Sequence, residues 1–270
     1  MRRTWQIVIV AAGLLVGTLP GEAFAEQDFG LGEIEFTGGK YEKETFTYLI
    51  LPPLKIEEGK QYPLLFFMHG AGERGNDVEK LVPHLPTQMS KEEWIGKYPC
   101  FMVIPQCRND EQWVEQAWSE KESSPLAEKP SDQMQMAMAV LDQSLETLPI
   151  DRSRVYLTGL SMGGFGSWEL AMRRPRLFAA VAPVCGGGDE SNAALLKGVP
   201  IWAAHGDADT VVWPVRSRRM VESIKAAGGN VRYTEYPGVG HNSWTPFYSD
   251  REGVIPWLFQ QVKKPAKNGS

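Results

Sequence analysis

The pentad Gly159-Leu160-Ser161-Met162-Gly163 follows the apolar run Val155 to Thr158 and precedes a helix-forming stretch from Phe165 to Arg173. A serine hydroxyl is a poor nucleophile until a base removes its proton. The chemistry this spacing allows is therefore attack by an activated serine from a tight strand-to-helix turn. Such a turn forces the serine into strained backbone angles, and the positions two before and two after it must be glycine-sized. The strain lifts Oγ clear of the sheet. The start of the next helix leaves N–H groups free to stabilise charge developing on a substrate oxygen.

The base is found by elimination, because the chain has only four histidines. His69 ends the run Leu64 to Met68 and opens His69-Gly70-Ala71-Gly72, where its expected task is shaping a loop of backbone N–H donors. His84, in a polar stretch with Pro83 and Pro86, reads as a surface residue, and His205, closing Ile201 to Ala204, as a buried hydrogen-bonded one. His241 follows Tyr236-Pro237-Gly238-Val239-Gly240, a strand end feeding a glycine-rich loop, and is the expected base.

The orienting carboxylate should lie between Ser161 and His241 in the chain, which leaves Asp189, Asp207 and Asp209. Asp189 follows three glycines and reads as a loop residue. Asp207 sits just after a turn, where aspartate caps backbone N–H groups. Asp209, two residues further out, is the favoured partner of His241. The expected oxyanion donors are the backbone N–H groups of Met162 and Ala71.

These residues need a scaffold that delivers them to one end. Strands are expected over Phe46 to Leu51, Leu64 to Met68, Phe101 to Ile104, Arg154 to Thr158, Ala179 to Val184, Pro200 to Ala204 and Val231 to Tyr236. Helices are expected after Ser131, an N-cap ahead of the stripe Met134, Met138, Leu141, Leu145 and Leu148, then over Val215 to Ala227 and Val254 to Val262. Apolar strands separated by helices imply a mostly parallel α/β sheet covered on both faces. The long polar segment from Asn109 to Pro130 has no periodicity and reads as a functional or mobile loop.

Composition sets the outer limits. The chain has 270 residues, 43% hydrophobic and 23% charged, an ordinary globular balance. Arg2 and Arg3, the apolar run Ile7 to Leu19 and Ala23-Phe24-Ala25 form the pattern of an export signal occupying residues 1–25. The remainder, 26–270, then reads as one catalytic domain with its core at about 46–262, secreted or periplasmic. The first segment carries Arg2, Arg3 and Glu22, so the whole chain's charge of −5 becomes −6 without it. That balance offers no surface for nucleic acid and none for stable membrane association. Three cysteines, Cys100, Cys107 and Cys185, have spacings that favour no disulfide. No CxxC pair, histidine cluster or HExxH motif calls for a metal, and no cofactor is expected.

Four motifs in order, His69-Gly70-Ala71-Gly72-Glu73-Arg74-Gly75, Gly159-Leu160-Ser161-Met162-Gly163-Gly164, His205-Gly206-Asp207-Ala208-Asp209 and Gly240-His241-Asn242-Ser243-Trp244, carry a family resemblance. From Tyr48 to Trp257 the chain resembles the α/β-hydrolase superfamily, in particular secreted esterases and predicted peptidases related to polyhydroxybutyrate depolymerases and feruloyl esterases. The resemblance implies Ser161 as nucleophile, Asp209 as acid partner and His241 as base, acting on a small-molecule or polymer-linked ester. A serine peptidase of the prolyl-oligopeptidase kind, an acyltransferase and a non-catalytic protein of the same fold are the competing readings. No long helical insertion interrupts the alternation, so no large cap domain is expected and the cleft should be open. Trp113, Trp118, Trp213 and Trp244 fall in or beside the catalytic loops. The first two and Trp244 are the expected substrate contacts, unless they pack beneath the loops instead. Glu73 and Arg74 are expected to pair and brace the oxyanion loop.

Overall fold

A computed structural model describes residues 28–263 together with the strand Gln6–Ile7; the rest of the expected export segment lies outside the described residues. The strands are β1 (Gln6–Ile7), β2 (Gly30–Gly38), β3 (Tyr41–Leu51), β4 (Tyr62–Met68), β5 (Phe101–Pro105), β6 (Ile150–Leu160), β7 (Ala180–Val184), β8 (Ile201–Gly206) and β9 (Val231–Tyr236). They form one sheet in the order β1-β2-β3-β5-β4-β6-β7-β8-β9. From β5 to β9 every neighbouring pair is parallel, whereas β2 pairs antiparallel with β3 and β3 antiparallel with β5.

The central strands are buried on both faces, as their continuous apolar sequence requires. Leu64, Phe66 and Met68 of β4 point into one core and Leu65 and Phe67 into the other, following the period of two along a strand. The first core is roofed by α3 (Asp132–Thr147), α4 (Met162–Arg173) and α5 (Val215–Ala226). The second is closed by α1 (Leu85–Met89), α2 (Glu92–Ile95), α6 (Trp244–Ser249) and α7 (Val254–Gln260). Ser131 caps α3 as its sequence suggests, its Oγ accepting a hydrogen bond from the Met134 amide at 3.0 Å.

The segment from Asn109 to Pro130 has no regular secondary structure, yet it is tied down along its length. Trp213 Nε1 donates to the Ser119 carbonyl at 2.9 Å, and Arg216 donates to the Glu120 carbonyl and Gln116 Oε1. Arg219 holds Glu122 through two bonds, Arg173 donates to the Ala127 carbonyl, and the Leu126 amide donates to Asp189 Oδ2. The loop is thus a strap over α4 and α5. Among the described residues no helix is long and apolar enough to cross a membrane, and Cys100, Cys107 and Cys185 are buried and unpaired.

Candidate active site

At the end of β6 the chain reverses into α4 through Ser161, whose φ of 54° and ψ of −118° are those of a residue held in a left-handed conformation. The neighbouring glycines are required by contact. A Cβ at Gly163 would collide with the Met68 carbonyl, and one at Gly159 with the carbonyls of Gly163 and Met68. These are backbone atoms of β4 and α4 that cannot step aside. Gly163→Ala is therefore expected to cost more than ~3 kcal/mol in urea unfolding. Gly198→Ala, where a Cβ meets nothing within 4 Å, should change stability by less than about 0.5 kcal/mol.

The structure brings the three side chains singled out in the sequence into one line. Ser161 Oγ lies 2.8 Å from His241 Nε2, and His241 Nδ1 lies 2.7 Å from Asp209 Oδ2. Asp209 is 2% exposed while His241 keeps a half-buried ring, so the carboxylate is sealed and the imidazole faces the cleft. Burial opposes ionisation of Asp209, but hydrogen bonds from His205, His241 and the Val212 amide outweigh it and hold the carboxyl well below the usual range. Its Oδ1 accepts from the amides of Val211 at 2.8 Å and Val212 at 3.0 Å. Asp207 does something else: its Oδ1 accepts from the Gly238 amide at 2.7 Å, joining the loops after β8 and β9. Asp189 caps the turn at Ser191 and anchors the strap at Leu126.

His205 has a role that sequence reasoning did not assign. Its Nε2 lies 3.2 Å from Asp209 Oδ2 and 2.9 Å from the Val212 carbonyl, both acceptors, so that nitrogen carries the proton. Asp209 Oδ2 is thereby held between two imidazoles. The signal was the four-residue spacing of His205 and Asp209 across a strand end and turn.

The first loop supplies the facing wall. Met162 opens α4 and Ala71 opens a 3₁₀ turn, Ala71–Glu73, so neither amide has an acceptor within its own element. His69 sits fully buried beneath this loop. Its Nδ1 donates to the Gly70 carbonyl at 2.6 Å and its Nε2 accepts from the Cys107 amide at 3.0 Å. Burial pushes its pKa down from 6.5 to about 4. A base depressed in the folded state stabilises the fold above pH 6.5, and that contribution is lost as pH falls from 6.5 towards 4. The loss should be about 3 kcal/mol in denaturant melts. It should largely vanish in His69→Gln; an unchanged slope in that variant would contradict the assignment.

Two expectations are corrected. Glu73 does not pair with Arg74: Glu73 Oε1 faces His84 Nε2 at 3.7 Å, while Arg74 donates to the carbonyls of Ala71 and Glu111. Arg74 thus braces the loop through its backbone. Trp113 has no surface to offer a substrate, being fully buried with Nε1 donating to the His69 carbonyl at 3.0 Å. Its bulk fills the floor beneath the loop that follows β4. Trp118 is half-buried with the Arg74 guanidinium 5.7 Å from its ring, and Trp213 is occupied in holding the strap. Trp244 alone of the four meets the His241 ring, edge to face at 5.4 Å.

Comparison with known proteins places the family and the fold. Residues 54–252 match the family model described as phospholipase/carboxylesterase. A solved structure of a thermostable esterase is 33% identical, with a TM-score of 0.76 over 87% of this chain and 63% of its own. Poly(3-hydroxyalkanoate) depolymerase C of Paucimonas lemoignei is 31% identical over 139 residues, which are 40% of this chain and 30% of the depolymerase. An acylaminoacyl peptidase of Pyrococcus horikoshii shares the fold at 15% identity and a TM-score of 0.62, covering 90% of this chain and 43% of the peptidase. The chain thus spans under a third of the depolymerase and just under two thirds of the esterase.

Proposed function

Because the chain belongs to the phospholipase/carboxylesterase family of α/β-hydrolases, we propose that it is a serine carboxylesterase working through Ser161, His241 and Asp209. One observation carries the reading: a single hydrogen-bonded line from the Ser161 hydroxyl through both nitrogens of His241 to a buried carboxylate, 2.8 Å and 2.7 Å long. In that line His241 Nε2 takes the Ser161 proton as Oγ bonds to the ester carbonyl carbon. The carbonyl oxygen becomes an oxyanion facing the Met162 and Ala71 amides. The C–O bond to the alcohol then breaks, and the proton on Nε2 passes to the departing oxygen. Water repeats the sequence on the acyl-enzyme, giving a carboxylic acid and restoring Ser161. Asp209 stays ionised throughout. It fixes the Nδ1–H tautomer of His241 and stabilises the imidazolium that forms.

A bulky or polymer-linked ester is the substrate class we favour. Among the described residues no helical insertion roofs the cleft, the strap lies over α4 and α5, and the depolymerase relative acts on a polyester by its name. Export is part of the same reading, supported by the charge, apolar run and cleavage pattern within residues 1–25. The test sets a short-chain nitrophenyl ester beside the matched nitroanilide. Ester turnover in large excess over anilide is expected; comparable turnover of the two would favour a peptidase. Adding an alcohol and measuring transfer product separates hydrolase from acyltransferase.

A further inference from the structure

His84 stands out because its backbone is strained for no local reason. Its φ of 68° and ψ of −126° nearly repeat those of Ser161, in a region where an L residue persists only when its surroundings hold it there. Glycine would take this turn without steric cost. The position therefore keeps an imidazole despite the backbone, and what that ring touches should account for it.

The ring touches both halves of the site. His84 Nδ1 accepts a hydrogen bond from Trp244 Nε1 at 3.2 Å, and the two rings meet edge to face at 5.4 Å. On its other side Nε2 faces Glu73 Oε1 at 3.7 Å. Glu73 ends the 3₁₀ turn that begins at Ala71, so it belongs to the loop presenting the oxyanion donor. Trp244 opens α6 and stands edge to face with the His241 imidazole. With Nδ1 accepting, the Nε2 proton is the one directed at the Glu73 carboxylate. Burial raises the pKa of Glu73, yet the contact with His84, helped by the Gly70 amide, brings it below the ordinary glutamate value. The carboxylate is thus ionised and ready to accept.

We propose that His84 is a positioning residue that latches the oxyanion loop to the base-bearing loop. It does so by holding Trp244 against His241 on one side and Glu73 on the other. The role rests on the proposed esterase reading, since it acts through His241. His84 touches neither Ser161 nor the reacting atoms in this account. What it fixes is the angle of the His241 ring and its distance from the loop opposite. Small misplacements of a catalytic group are expensive in rate, which makes the strain worth holding.

The experiment compares wild type with His84→Gly, His84→Asn and Trp244→Phe, using nitrophenyl acetate and thermal unfolding. His84→Gly removes the latch and the strain together, so it should unfold at the same or a higher temperature while kcat falls about tenfold and KM changes less than twofold. A residue with a merely structural role would lose stability along with activity. His84→Asn keeps an acceptor for Trp244 and tolerates positive φ, so it should recover most of kcat. Trp244→Phe deletes the donor. Adding His84→Gly to it should lower kcat little further, because the two act in one chain. An unchanged kcat in His84→Gly, multiplicative losses in the double variant, or a rise in KM alone would overturn the latch. If Ser161→Ala kept turnover, the esterase reading itself would fail; if Ser161→Ala were dead and His84→Gly fully active, only the latch would fail.

Discussion

Asp209→Asn is expected to lower kcat about 10⁴-fold, the loss found elsewhere when an orienting carboxylate becomes an amide. Here the reason can be traced atom by atom. Four donors converge on Asp209: the Val211 and Val212 amides on Oδ1, and the His205 and His241 ring N–H groups on Oδ2. An asparagine has one acceptor oxygen and one NH₂, so whichever way it is turned it sets N–H against N–H on one side. Either His241 loses its partner and shifts to the wrong tautomer, or the turn after Asp209 loses its cap. The second outcome adds a stability cost of about 1–3 kcal/mol for each buried donor left unmet. Asp207→Asn is the control. Its carboxylate accepts from the Gly238 amide, which an asparagine oxygen serves equally well, so kcat should change by less than about threefold. A larger loss at Asp207 than at Asp209 would mean that the carboxylate has been misassigned.

Ser161→Ala is expected to lower kcat about 10⁶-fold, leaving only what binding and oxyanion donors supply. Because alanine keeps a Cβ at φ 54°, it also keeps the backbone strain, and the variant should unfold near the wild-type temperature. Ser161→Gly separates the two consequences of the turn. It should be equally dead yet more stable, by about 1 kcal/mol or more, since the strain of a non-glycine residue in that region is relieved. Unfolding midpoints and initial rates on one ester measure both. Substantial turnover in Ser161→Ala would mean that another group attacks.

How far the sequence can be read follows from the size of the signals. The parallel core was legible because β4 and the second half of β6, Val155 to Leu160, are largely apolar runs buried on both faces, and α3 because Ser131 and a full apolar stripe mark it. β2 was not: Gly30 to Gly38 alternates glutamates with a few apolar residues, and its pairing with β3 is what makes it a strand. Helices α1, α2 and α6 have four to six residues, too few for a period to register. At the site, the spacing around Ser161 and the strand ends before Asp209 and His241 pointed to residues that do meet. Contacts made across the sheet left no trace in sequence. The second imidazole on Asp209 was within reach of a local reading, His205 being four residues away, but the contact of Glu73 with His84 and the burial of Trp113 beneath His69 join residues from different segments. No local pattern records such partners.

If Ser161 carries the acyl group, rapid quenching with nitrophenyl acetate will trap it there. Mixing at limiting time should release about one nitrophenol per enzyme in a burst, and intact-mass analysis should find one acetyl group on the peptide that contains Ser161. That label should be absent from Ser161→Ala and should accumulate in Asp209→Asn only slowly. Turnover of the ester with no burst and no acetyl on that peptide, or with the label on another residue, would contradict the account.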